Sequence, residues 1–200
     1  MSTANWIAQS VCTIDDFLSA SECAALIERS ETESYDVATV TTRVGAVRML
    51  DLRNNDRVIL DDPDYADLLW QRLKPMIPAT FHNVWRASGL NERLRFYRYD
   101  VGQQFDWHCD GNFWRSQQEE SHFTFMIYLN QEFEGGETAF RELPEFRSED
   151  LVVKPKTGTA LIFHHPVCHR GAPVLDGRKY VLRSDVMYRL GDEFSHVVNS

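Results

Sequence analysis

Two hundred residues with 43% apolar side chains make one domain of ordinary size with enough material for a buried core. A net charge of −9 argues against nucleic acid as a partner, because phosphate binding is driven by lysine and arginine, and it favours a basic peptide or a neutral small molecule. There is no run of the ~20 apolar residues of a membrane span, no basic-then-apolar leader, and no disulfide framework among Cys12, Cys23, Cys109 and Cys168; a cytoplasmic chain with no membrane partner is expected.

Residues 11–14 read as a short strand, and Asp15-Asp16-Phe17-Leu18 leads into a helix. Ser19 and Glu22 form its capping box, and Leu18 can pack on Cys23 as a staple. Ala24, Leu26 and Ile27 supply its buried stripe. Arg53, Asn54, Asn55 and Arg57 read as a solvated turn. A second helix starts at Asp62, with Pro63 at the first position, where its missing N–H costs nothing. Tyr65, Leu68, Leu69, Leu73 and Met76 recur at helical spacing, and Pro75 and Pro78 end it.

From about Arg93 the pattern changes to short strands rich in aromatic and β-branched residues: 94–99, 104–108, 123–129, 159–163 and 180–188. Turn residues separate most of them, among them Asp100-Val101-Gly102, Gly135-Gly136 and Asp176-Gly177. The expected class is mainly β with supporting helices: a jelly-roll or cupin-like double-stranded β-helix core at 91–192, supported by a mixed helical part at 1–90, in a single domain over 1–200. The polar stretch 115–121 reads as a flexible loop near the mouth, and Asp61-Asp62 and Glu119-Glu120 as solvated charge. Trp107 is assigned to core packing, Phe113 and Trp114 to a wall or lid, and His82 and His196 to the surface.

The stretch His108-Cys109-Asp110, answered downstream by His169, carries the chemistry. Residues two apart on a strand share a face, so His108 and Asp110 point one way and Cys109 the other. The third ligand comes from His164, His165 or His169. His169 is preferred, because Gly171 and Pro173 begin a hairpin beside it, while His164 and His165 pack behind. Two imidazoles and one carboxylate leave half a coordination sphere open, which suits a non-haem Fe(II) ion that binds a co-substrate together with O₂. A metal-bound 2-oxo acid also needs a cation for its far carboxylate. Lys179 and Arg183, four apart on one strand, are the candidates. Tyr128 could add its hydroxyl, and Arg178 faces the opposite way.

These pieces resemble the prolyl 4-hydroxylase-like branch of the Fe(II)/2-oxoglutarate dioxygenases over roughly residues 93–190. The resemblance rests on an ordered set. Arg-Tyr-Asp-Val-Gly-Gln-Gln-Phe leads to His108-Cys109-Asp110. Tyr128-Leu129-Asn130 follows, with Phe133 to Thr138. Pro155-Lys156-Thr157-Gly158 comes next, and His169-Arg-Gly-Ala-Pro-Val and Gly177-Arg-Lys-Tyr close the set. It implies that His108, Asp110 and His169 hold iron, that Lys179 holds the 2-oxoglutarate carboxylate with Arg183 as rival, and that Tyr128 and Tyr99 lie near the co-substrate. It also implies Fe(II), 2-oxoglutarate and O₂ as cofactor and co-substrates, and it allows ascorbate. The reaction implied is hydroxylation of an unactivated C–H bond coupled to decarboxylation of 2-oxoglutarate to succinate and CO₂. A prolyl residue of a peptide or protein is the first candidate substrate, and a free amino acid or small metabolite the second.

Two other readings compete. Cys109 and Cys168 beside His108 and His169 could suggest a closed zinc site, but strand neighbours point to opposite faces. A non-catalytic, metal-dependent ligand-binding jelly roll would share the triad but has no need of a basic pair facing the metal.

Overall fold

The computed structural model describes residues 3–42, 45–146 and 149–191. The helix at Ala20–Glu31 starts as its sequence dictates: the Ser19 hydroxyl accepts from the Glu22 backbone, and the Glu22 carboxylate accepts from the Ser19 N–H at 2.8 Å. Its buried face is Cys23, Leu26 and Ser30, with Ile27 partly buried; Ala24 faces solvent, against expectation, because it lies off the 3.6-residue stripe those three define. The helix at Pro63–Leu73 is capped by Asp62, which accepts from the Tyr65 N–H at 2.9 Å and pairs with Arg29. It buries Ala66, Leu69, Trp70 and Leu73. Leu68, expected in the core, is 42% exposed, since Trp70 occupies the inward position instead. A 3₁₀ turn, Lys74–Met76, carries Pro75 and ends the segment.

Both helices lie on the outer face of an eleven-stranded, largely antiparallel sheet. Its central strand is Lys179–Leu190, which pairs with Glu119–Tyr128 on one side and with Arg93–Tyr99 and Trp85–Leu90 on the other. Alternation divides the side chains between two cores. Phe125, Ile127, Leu182, Val186, Leu94 and Phe96 face outward under the helices, where each fully buried apolar side chain contributes about 1.5–3 kcal/mol. The intervening residues face inward, where Tyr97, Tyr99, Tyr128 and Val181 form a second core that includes Phe105, Phe140 and Phe163. A second sheet closes over this inner face. Its order is Phe105–His108, His169–Gly171, Thr138–Phe140, Leu151–Val153. Two sheets enclosing an inner core form the double-stranded β-helix expected from the sequence.

Two expectations are corrected. Residues 115–121 are not a loop: Trp114–Ser116 pairs with the start of the Glu119–Tyr128 strand as a hairpin. Glu119 and Glu120 are buried rather than solvated, because Arg115, Ser88 and Arg189 converge on Glu119, and Asn112 donates to Glu120. The first ninety residues also contribute strands to the large sheet: Ala4–Ala8, Val11–Ile14, Asp56–Asp61 and Trp85–Leu90 all pair within it.

Candidate active site

His108 ends one strand of the smaller sheet and His169 begins its neighbour, and the two are cross-strand partners. Asp110 follows two residues after His108. One ligand atom from each of the three lies within 4.8 Å of the others, the only such metal-sized cluster of His, Cys, Asp and Glu among the described residues. The His108 Nδ1 lies 2.7 Å from the Asp106 carbonyl and the His169 Nδ1 2.9 Å from that of Val167. A carbonyl only accepts, so each Nδ1 carries the hydrogen and each Nε2 presents a lone pair to the centre. Cys109 is exposed and turned away, so neither it nor Cys168 joins the cluster and the closed zinc arrangement does not form.

Electrostatics prepare these groups for a cation. Burial, reinforced by the neighbouring His169, pushes His108 down to about 3, and burial lowers His169 as well. Burial alone would raise Asp110, but Arg183, His169 and His108 outweigh it and hold the carboxyl well below the ordinary range. Two neutral imidazoles and a carboxylate are therefore present at neutral pH, so an ion need displace no proton.

Behind Asp110 runs a hydrogen-bonded chain with a fixed direction. The Thr124 hydroxyl donates to Asp110 Oδ2 at 2.6 Å, so it must accept from His165 Nδ1 at 3.0 Å. The His165 Nε2 then accepts from the Ser121 hydroxyl at 2.9 Å, and Ser121 accepts from the Phe113 N–H at 2.8 Å. Every hydrogen is used once, and burial keeps His165 neutral by pushing it down to about 4. Thr124→Val removes the link to Asp110 and leaves His165 without its acceptor. Activity should fall about 10–100-fold with the circular dichroism spectrum unchanged, as for other groups that orient a metal ligand; a fully active variant would show that Asp110 needs no such support.

From the triad a narrow cavity runs inward past Tyr99, Thr138 and Phe163 to Lys179. The Lys179 ammonium is buried and donates to the Gly136 carbonyl at 2.6 Å, with no carboxylate within 4 Å among the described residues. Burial pushes it down to about 7, with Glu137 pulling the other way. Gly136 permits this contact: its φ is +67°, and a Cβ there would press on Lys179 Cδ at 3.2 Å. Tyr99 stands beside the ammonium, with its ring centroid 5.0 Å away. Tyr128 is placed behind the wall rather than in it, and donates to the Thr138 hydroxyl at 2.7 Å. Thr138 lines the cavity itself and was not singled out by sequence, though it closes the Gly135-Gly136-Glu137-Thr138 run. Arg183 lies at the other end, 3.0 Å from Asp110 Oδ2. Arg178 is turned outward and pairs with Asp100 at 2.5 Å.

Around the rim, Arg53 and Asn55 are buried and not part of a solvated turn, since Arg53 lies over the Tyr97 and Phe105 rings and donates to the Asn55 side chain. Trp107 is half-buried between the guanidinium groups of Arg141 and Arg170 rather than in the core. Phe113 lines the mouth, and Trp114 is 65% exposed. His82 is exposed and packs on Phe81, His164 lies in the same aromatic cluster, and His196 falls outside the described residues.

The chain resembles known proteins in sequence and in fold. Residues 94–184 match the family model of the 2OG-Fe(II) oxygenase superfamily. Residues 11–134, more than half of the chain, match that of phytanoyl-CoA dioxygenase. Prolyl 4-hydroxylase 2 of Arabidopsis thaliana is 31% identical over 195 residues, covering 83% of this chain and 63% of its own. A relative named as a prolyl 4-hydroxylase in Acanthamoeba polyphaga mimivirus is 33% identical over 129 residues, covering 54% of this chain and 51% of its own. The chain thus spans less than two thirds of these relatives. Among solved structures, the prolyl hydroxylase of Trichoplax adhaerens bound to a hypoxia-inducible-factor peptide aligns with a TM-score of 0.69 at 14% identity, over 98% of this chain and 89% of that one. The viral collagen prolyl hydroxylase of Paramecium bursaria Chlorella virus-1 aligns with a TM-score of 0.61 at 20% identity, over 91% and 97%. At these identities the two structures speak for the fold alone.

Proposed function

Because this chain belongs to the 2OG-Fe(II) oxygenase superfamily, in its prolyl 4-hydroxylase-like branch, we propose that it hydroxylates an unactivated C–H bond, with a prolyl residue of a peptide or protein as the first candidate substrate. The family uses Fe(II), 2-oxoglutarate and O₂, which together supply an oxidant strong enough for such a bond, with succinate and CO₂ as co-products. His108, Asp110 and His169 would hold the iron: their donor set is two neutral nitrogens and one carboxylate on one side of a cavity. Lys179 would hold the far carboxylate of 2-oxoglutarate, with Tyr99 and Thr138 beside it and Tyr128 orienting Thr138.

The single observation that carries this reading is a buried ammonium with no counter-ion among the described residues, at the inner end of a cavity whose other end is the triad. A buried unpaired charge is costly, and a dicarboxylate reaching from metal to lysine would remove that cost. Arg183 is the weaker candidate because Asp110 and Asp185 already engage it. The chain's own work is to fix Asp110 through Thr124, exclude water with Phe105, Phe163 and Val181, and present one cation to the co-substrate. We further read residues 1–90 as support and 91–192 as the oxygenase core of one domain. Among the described residues no helix is long and apolar enough to cross a membrane, and a cytoplasmic setting fits four cysteines that are all free thiols.

Anaerobic titration tests the assignment. Fe(II) and then 2-oxoglutarate should each bind once per chain, and candidate peptides and amino acids should then stimulate succinate release in air. A protein that binds a ligand tightly but neither binds nor consumes 2-oxoglutarate would be the non-catalytic jelly roll instead.

A further inference from the structure

A second cavity, of about 350 Å³, opens from the triad toward solvent on the side away from Lys179. The two cavities share Tyr97, Phe105, His108, Asp110 and Arg183, so whatever enters the second meets the metal position directly. Its volume is that of a small-molecule site or a short peptide segment. Its charge is unlike that of the molecule: among the described residues, Arg53, Arg57, Arg95 and Arg183 line it against Asp110 and Asp185, in a chain whose net charge is −9.

Arg95 and Arg183 are committed to those two carboxylates, at 2.9 and 3.0 Å. Arg53 and Arg57 are not. Arg53 is 4% exposed, and its Nη2 is buried without a hydrogen-bond partner among the described residues. Among the described residues Arg57 reaches only the Thr39 hydroxyl, at 3.1 Å. The cations also strain one another. Burial, helped by Arg53 and Arg95, lowers Arg57. Burial would raise the Tyr97 phenol, yet Arg53, Arg183 and Arg95 outweigh it and bring it down to about 8. A buried guanidinium held over two aromatic rings with an idle N–H is costly to the apo fold. Such a fork matches a carboxylate.

We propose that the substrate carries a carboxylate and that Arg53 and Arg57 clamp it at this mouth, placing the carbon to be oxidised toward the triad. This rests on the oxygenase reading above and narrows its substrate class to acids, against the basic or neutral partner that net charge alone suggests. The carboxylate could be that of a free amino acid or an acidic side chain close to the target in a peptide.

The test uses full-length protein loaded with Mn(II) and N-oxalylglycine, so that the metal and co-substrate positions are filled. Three acid–amide pairs are titrated by calorimetry: L-proline with L-prolinamide, L-leucine with L-leucinamide, and an acetylated Glu-Pro-Gly amide with its Gln counterpart. In at least one pair the acid should bind about tenfold or more tighter, the scale of a charge-assisted bond. Arg57→Gln and Arg53→Gln should each bring that ratio to near one while N-oxalylglycine still binds. Preference within a free amino-acid pair identifies that source, and preference within the peptide pair identifies an acidic peptide. Wild-type indifference to charge in all three pairs overturns the proposal, as does a preference that survives both substitutions. Failure of N-oxalylglycine to bind would instead count against the oxygenase reading, and the acid–amide comparison is then run on the metal-free protein with the same two outcomes.

Discussion

Lys179→Met is expected to bind 2-oxoglutarate at least about a hundredfold more weakly than the wild type, yet to unfold at a higher temperature when no ligand is present. The two effects have one cause. Losing one partner of a buried charge pair costs about 2–5 kcal/mol of binding, but in the ligand-free protein the ammonium has no carboxylate within 4 Å among the described residues, and methionine fills its place without a desolvation cost. The extra stability depends on pH. The unfolded chain's lysine holds its proton to about 10.5, whereas the folded one releases it near 7. Between those values the unfolded state binds more protons, so wild-type stability rises with pH relative to the variant. The melting-temperature advantage of Lys179→Met should therefore be full below about pH 7 and fade toward pH 10. Thermal melts of both proteins at pH 6, 8 and 10, with calorimetry of 2-oxoglutarate binding, decide it. A variant that binds the co-substrate normally would move the carboxylate site to Arg183. Lys179→Arg should recover little, since a longer planar fork replaces a point charge seated on the Gly136 carbonyl in a narrow cavity.

His169→Ala is expected to abolish turnover, with succinate release falling on the order of a thousandfold or more, about 4 kcal/mol in barrier. Mn(II) affinity should fall with it, because one of only three donors is gone. The fold should survive: the ring sits at the cavity wall against Phe163 and Phe140, and both also pack in the inner core with Tyr128 and Val181. Calorimetry with Mn(II) and circular dichroism on the same sample separate metal loss from unfolding. Unchanged metal affinity would mean that the ion, if any, is held elsewhere.

The site was legible to the degree that its residues are close in sequence or fixed by strand alternation. His108 and Asp110 share a face by the two-residue rule, and Lys179 and Arg183 by the same rule, so both pairs could be placed before any coordinates. Thr124 obeys it too, on one face with Met126 and Tyr128, but a threonine in a strand announces nothing until its partner is known. Arg53 shows the limit. It reads as part of a polar turn because the rings that cover it, Tyr97 and Phe105, lie far along the chain. Glu119 and Glu120 share the difficulty in part: Arg115 and Asn112 are near in sequence, but Ser88 and Arg189 reach Glu119 from strands 31 and 70 residues away. Asp56–Asp61 joins the large sheet although its mixed charges give no clean alternation; its neighbour Arg93–Tyr99 supplies the pairing.

Arg183 stands as a common wall between the two chambers, already leaning on Asp110. Its positive field cannot be spent in full on both sides. An anion arriving in one chamber weakens the pull felt by an anion in the other, and thermodynamic reciprocity makes that penalty equal whichever arrives first. Filling either compartment thus lowers the affinity of the other by the same factor, and that coupling passes through a single side chain.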